Sequence, residues 1–154
     1  MRPVRAALIA SAVTAFTLVV GIPVASASLD PPGASSTGGA WIISNDVTDK
    51  ATLGFNVGVA PDGSFSGQLQ FVDHGVNVSV KSTSITTFFS AACTALFEGT
   101  ADVNGVSGSP FQVFVTDVDE PGSGRDTFTI TLDSYANSGL LGGGNIQVHG
   151  PGCP

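Results

Sequence analysis

The chain has 154 residues and sets 12 acidic side chains against five lysines and arginines, a formal charge of −7 at neutral pH. Arg2 and Arg5 lie in the first apolar stretch, so beyond it only Lys50, Lys81 and Arg125 face all 12 carboxylates, a net charge of about −9. Such a chain repels phosphate backbones and anionic lipid surfaces, which excludes nucleic acid as a partner and leaves solubility as the plainest use of the charge.

The chain opens as an export signal. Arg2 and Arg5 give a positive start, Ala6 to Val20 is uncharged and mostly apolar, and Gly21 and Pro23 break it. Ala25-Ser26-Ala27 then supplies the small residues of a signal-peptidase site. A membrane span needs about 20 apolar residues, and this run is shorter and interrupted by Ser11, Thr14 and Thr17. The expectation is a signal peptide over residues 1–27, cleavage between Ala27 and Ser28, and a secreted, extracellular product with no hold on the membrane after cleavage. Residues 28–39, "SLDPPGASSTGG", are rich in Pro, Ser and Gly and read as a disordered tail. Residues 40–154 read as a single β-domain.

Within that domain alternation is the dominant signal. A first strand is expected over Ala40 to Ser44, around Trp41. In "KATLGFNVGVA", Ala51, Leu53, Phe55, Val57 and Val59 fall on one face, the pattern of a half-buried strand. Pro61 to Ser64 has turn composition. Phe65, Leu69 and Phe71 then point inward, and after Asp73-His74-Gly75 so do Val76, Val78 and Val80. "ACTALFEGTADVNG" runs to Asn104-Gly105, a two-residue hairpin signal. "FQVFVTD", "TFTITLDSY" and "GGGNIQVHG" supply further strands. The pattern predicts an all-β fold, an antiparallel sandwich or partly closed barrel of about eight or nine short strands, with a sandwich of barrel-like closure preferred. Glycines inside strands point to bulges and tight curvature.

Cys93 and Cys153 are the only two cysteines. An even count in an exported domain reads as one disulfide, here tying the "HGPGCP" tail to the strand that begins near Ala95.

Three groups of residues are candidates for chemistry. The acidic stretch "DVDEPGSGRD" offers Asp117, Asp119 and Asp126 as oxygen ligands for calcium, although its spacing is not that of an EF-hand and Pro121-Gly122 alone explains a turn. The plain-turn reading is preferred, and no other cofactor is expected. His74 and His149, the only histidines, form a polar or metal-binding cluster if the strands bring them together. No nucleophile elbow and no metalloprotease helix motif occurs, so no catalytic residues are assigned and an enzyme is not expected. Trp41 and Tyr135 are the only amphipathic aromatics, few for a carbohydrate module, while Phe88-Phe89 and the off-phase Phe114 suggest a second core or an exposed patch. Asn77-Val78-Ser79 matches a glycosylation sequon, but its mid-strand reading makes that a chance match.

Six stretches in register, "ATLGFNV", "SGQLQFVDHG", "VKSTSI", "GTADVNG", "DVDEPGSGRDTFTITL" and "GGGNIQVH", resemble the post-COAP domain, a small domain of exported bacterial proteins found beside choice-of-anchor domains. The resemblance spans nearly all of residues 40–150. It implies a secreted or surface β-domain and brings no activity, substrate or catalytic residue. The sequence shows neither an anchor domain nor a sorting tail, so a freely secreted copy is expected. The overall expectation is a secreted, non-enzymatic interaction or accessory module. Its partner would be an unknown protein or glycan at the cell surface or outside the cell. A carbohydrate-binding module is the alternative, and a small hydrolase or inhibitor a more remote one.

Overall fold

The structure, a computed structural model, describes residues 30–43 and 49–153. The expected signal peptide and its Ala27–Ser28 cleavage point lie outside the described residues.

Eight strands follow one another: β1 (Ser35–Ile43), β2 (Lys50–Val59), β3 (Phe65–Asp73), β4 (Val78–Ala91), β5 (Thr94–Val103), β6 (Val106–Thr116), β7 (Thr127–Leu132) and β8 (Tyr135–His149). Each pairs antiparallel with its neighbours in sequence, and β8 returns to pair with β1, so the sheet is one closed up-and-down barrel. Closure removes the free edges that an open sandwich would leave. The all-β expectation holds, and of the two architectures it allowed the barrel is the one formed.

The inward residues of the strands are mostly apolar and fill the barrel. Phe71 stacks on Phe128 with ring centroids 5.8 Å apart, Phe55 lies 5.3 Å from Phe97, and Phe111 meets Phe97 edge-on at 6.3 Å. Phe55 and Phe128 link these pairs at 6.3 Å, and Phe71 reaches Tyr135 at 6.1 Å. Six rings thus run continuously through the interior. Each fully buried Phe stabilises the fold by roughly 2–3 kcal/mol.

The second part of the Ser- and Gly-rich segment read as a disordered tail instead belongs to β1, with Ser35 to Gly39 paired to both β2 and β8. Its small residues are a packing requirement. A Cβ on Gly38 would run into the Phe55 ring, and Ser36 is buried with its hydroxyl donating to the Gln147 carbonyl at 3.1 Å. The domain therefore begins before residue 40, and Asp30 is itself buried.

β4 departs from simple alternation. Its register against β5 shifts between Ser82 and Ser84 and again between Ile85 and Thr87. Gly99 lies opposite Ile85, between the two shifts, where a Cβ would collide with the Ser84 carbonyl. The bulges bend the strand and turn Phe88 into the core while Phe89 stays outside. Phe89 and Phe114 lie in one outer row through Leu96, so Phe88 belongs to the single core and the other two to the surface. Val76 and Asn77, expected in a strand, sit in the exposed β3–β4 turn, Asn77 with φ of 54°.

Candidate functional site

The two ends of the barrel are built differently. One carries the β2–β3, β4–β5 and β6–β7 connections and both chain tails, the other the β3–β4, β5–β6 and β7–β8 turns.

The acidic stretch belongs to the first end. β8 pairs with β7 only as far as Leu140, and beyond that its second edge has no strand partner. The β6–β7 loop takes that place. Leu141 donates to the Asp126 carbonyl at 3.0 Å, and Gly124 donates back to the Leu141 carbonyl at 2.6 Å. Further along, side chains replace the ladder: Ile146 N–H donates to Asp126 Oδ2 at 3.1 Å and Val148 N–H to Asp117 Oδ2 at 2.9 Å. The other Asp126 oxygen accepts from Val118 N–H at 2.9 Å, and the residue is fully buried. Gly122 lies so close to the Asp126 carboxylate that any Cβ there would overlap it. Glu120 accepts from the Asn145 and Gln147 amides, and Asp119 pairs with Arg125 at 3.4 Å on the surface. Burial pushes the Asp117 carboxyl above the usual carboxylate range, against the pull of the Val148 N–H and with the help of the Asp126 and Glu120 charges. Of the three candidate calcium ligands, Asp117 and Asp126 thus bind the backbone and Asp119 faces a guanidinium. Among the described residues no three His, Cys, Asp or Glu side chains group as metal ligands.

A second seam closes where β4 leaves β3, whose pairing ends at Gln70↔Lys81. Ser82 Oγ takes the Leu69 N–H at 2.7 Å, and farther down Asp30 accepts from Ser90 N–H at 2.7 Å and from its hydroxyl at 3.1 Å, both groups buried. Next to it the Cys93–Cys153 disulfide ties the tail to the β4–β5 turn. That turn holds Ala92 and Cys93 in left-handed conformations, with φ of 49° and 60°, which Gly or Asn would adopt more readily. The tail supports it: Ala92 N–H donates to the Pro151 carbonyl at 3.1 Å.

The structure does not bring the two histidines together. His149 closes β8 opposite Ser35, beside Asp117, while His74 follows β3 at the other end, its N–H on the Lys50 carbonyl and its Nε2 3.5 Å from Thr52 Oγ1. The length of β1 separates them. An odd number of strand passages lies between them, and neighbouring strands run in opposite senses.

The other end is hollow. A cavity of about 620 Å³ opens between the three turns, walled by Val76, Val78, Val103 and Leu132, with Tyr135 and Asp73 at its floor. Asn104, Ser109, Asp133 and Ser134 supply its polar rim. Asp73 is buried and accepts from the Tyr135 hydroxyl at 2.6 Å, the Asn137 amide at 2.8 Å and the Gly75 N–H at 2.9 Å. Burial raises the Tyr135 phenol well above its ordinary range, and the hydrogen bond to Asp73 raises it further. Tyr135 is therefore a neutral donor across the physiological range. Asn104 and Gly105, with φ of 50° and 83°, make the expected tight turn, and the Asn104 side chain accepts from Ser79 N–H, tying the rim to β4. The Asp73–Tyr135–Asn137 cluster went unread in the sequence, because its members are separated by some 60 residues. The one available signal was a polar residue, Asn137, in an inward position of an apolar strand.

Trp41 lies on the outer wall against Gly142 and Gly143, where any Cβ would strike its ring, and Lys50 Nζ sits 3.9 Å over the ring centroid. A smaller cleft of about 300 Å³ lies along the outer wall over Gly54, bordered by Asn56, Gln68, Gln70 and Lys81.

No family model matches the chain, and no match was found among curated proteins or solved structures. The likeness to the post-COAP domain rests on the six stretches alone.

Proposed function

We propose that the protein is an exported, non-enzymatic binding module whose working part is the cup at the hollow end of the barrel, which receives a small, mostly apolar molecule. The observation that carries this reading is the combination of an aliphatic hollow with a buried, hydrogen-bonded polar floor, the usual make-up of a small-ligand site. The six-ring core fills the barrel beneath, so a ligand seats in the cup and goes no deeper.

Export is part of the proposal, supported by the composition of residues 1–27 and by the disulfide, which persists in oxidising compartments. Outward positions such as Thr52, Asn56, Gln68 and Gln70 are polar and exposed, the reverse of a membrane barrel, which supports a mature chain in water. A carbohydrate module gains less support, since Trp41, the best stacking surface in the chain, already packs between two glycines and Lys50. The raised phenol of Tyr135 favours binding over proton transfer at this site.

The test is amide chemical-shift mapping during titration with a neutral probe such as benzyl alcohol. Shifts concentrated at Val76, Val103, Ser134 and Tyr135, and abolished in a Val76→Trp variant that covers the cup, are expected. Shifts spread over the outer wall, or none at millimolar probe, would reject the reading.

A further inference from the structure

The cup carries two carboxyl groups and no cation. Asp133 stands exposed on its rim and Asp73 lies beneath its floor, and neither lysine nor the arginine of the described residues lines it. Each of those cations is placed elsewhere. Lys50 sits over Trp41 on the outer wall, Lys81 lies across from Gln70 and Asp102 outside β4, and Arg125 faces Asp119 at the opposite end. His74 follows β3 at the same end as the cup, but its ring reaches outward to Thr52. The walls are aliphatic, and the half-buried Tyr135 adds an aromatic face, which attracts cations.

From this arrangement we infer that the cup selects compact organic cations, the apolar body seated among Val76, Val103 and Leu132 and the ammonium group turned to Asp133. The inference rests on the reading of the cup as a binding site and adds the charge of its ligand. An anionic ligand of the same shape would meet rim and floor carboxyls with no counter-charge, and the surplus of acidic groups over the whole molecule would keep it away. The cation gains from the same field, and a rim pair of this kind shifts affinity modestly and weakens with added salt.

The experiment compares benzylammonium, benzyl alcohol and benzoate by amide chemical-shift titration of the intact, oxidised protein. Benzylammonium is expected to bind about fivefold more tightly than benzyl alcohol, with benzoate weakest. In Asp133→Asn the advantage of the cation over the alcohol should shrink most of the way to parity. Asp133 is exposed, so that variant folds as the parent does, and an unchanged melting temperature verifies it. Benzoate binding as tightly as benzylammonium, or a cation advantage that survives Asp133→Asn, would overturn the charge assignment while leaving the cup intact. Binding of none of the three would remove the cup reading and this inference with it.

Discussion

The two ends of this barrel put the same side chain to opposite uses. At the end that carries the tails, Asp30, Asp117 and Asp126 accept backbone N–H groups from β4 and β8 where those strands part from their neighbours. At the other end Asp133 is exposed and borders an open hollow, and Asp73 holds a tyrosine and an asparagine under it. The contrast teaches that net charge alone says little about where acidic residues work. A carboxylate can stand in for the missing carbonyls of a strand partner, because its two oxygens accept from two amides at once. In this molecule that substitution seals one end, while the other stays open.

If the sealed end carries the stability, opening its covalent tie should have the largest effect. Cys153→Ser releases a bridge that spans 60 residues and should lower stability by about 4 kcal/mol in the chain-entropy model, read from urea unfolding. Two free thiols in the unreduced parent would remove the basis for this. Next in size is Asp126→Asn. It keeps an oxygen for one backbone donor but sets an amide N–H₂ against the other in a fully buried site, and should cost about 2–3 kcal/mol by the same measurement.

The hollow end should respond more weakly. Tyr135→Phe removes a buried donor from Asp73 and should cost about 1 kcal/mol. It also changes the alkaline limb. Because the folded-state phenol is raised, the folded chain keeps a proton that the unfolded chain loses above about pH 10. Stability is therefore complete below that pH and falls as pH rises past it, and Tyr135→Phe should flatten that fall. The smallest effect sharpens the comparison from the sealed side. Asp117 is also raised when folded, so its contribution is full at acid pH and lost as pH rises through its raised value. Asp117→Asn keeps an oxygen for Val148 and should be slightly more stable than the parent at neutral pH, the gap closing as pH falls into the carboxylate range. A gap that widened toward acid pH would reverse the sign argued for burial at this site.

The strands with regular alternation were legible before any coordinates. β2, β5 and β7 follow the pattern residue by residue, as do the Asn104-Gly105 turn and the Cys93–Cys153 pair. The first half of β1 was hidden because packing against Phe55 selects Gly and Ser, the composition of a linker. β4 was legible at Val78 and Val80 and hidden beyond them, because its two bulges break the period of two on which strand recognition depends. The Ala92–Cys93 turn lacks the usual Asn-Gly signal, since the tail and the disulfide hold it in place of a favourable residue type. The cup was illegible for a different reason: its floor joins β3 to β8, and only barrel closure places them within hydrogen-bonding distance.

Amide hydrogen exchange on the oxidised protein tests the carboxylate seam most directly. Ser90, Ile146 and Val148 donate to aspartate side chains where a strand would ordinarily provide the acceptor, and Val118 of the β6–β7 loop donates to the same Asp126. The account predicts that these four exchange as slowly as the ladder amides of β5, by global unfolding, while Asn104 and Ser134 at the hollow end exchange by local opening. Exchange of Ile146 and Val148 at the rate of the exposed turns would contradict it, and the sealed end would then owe its closure to the disulfide alone.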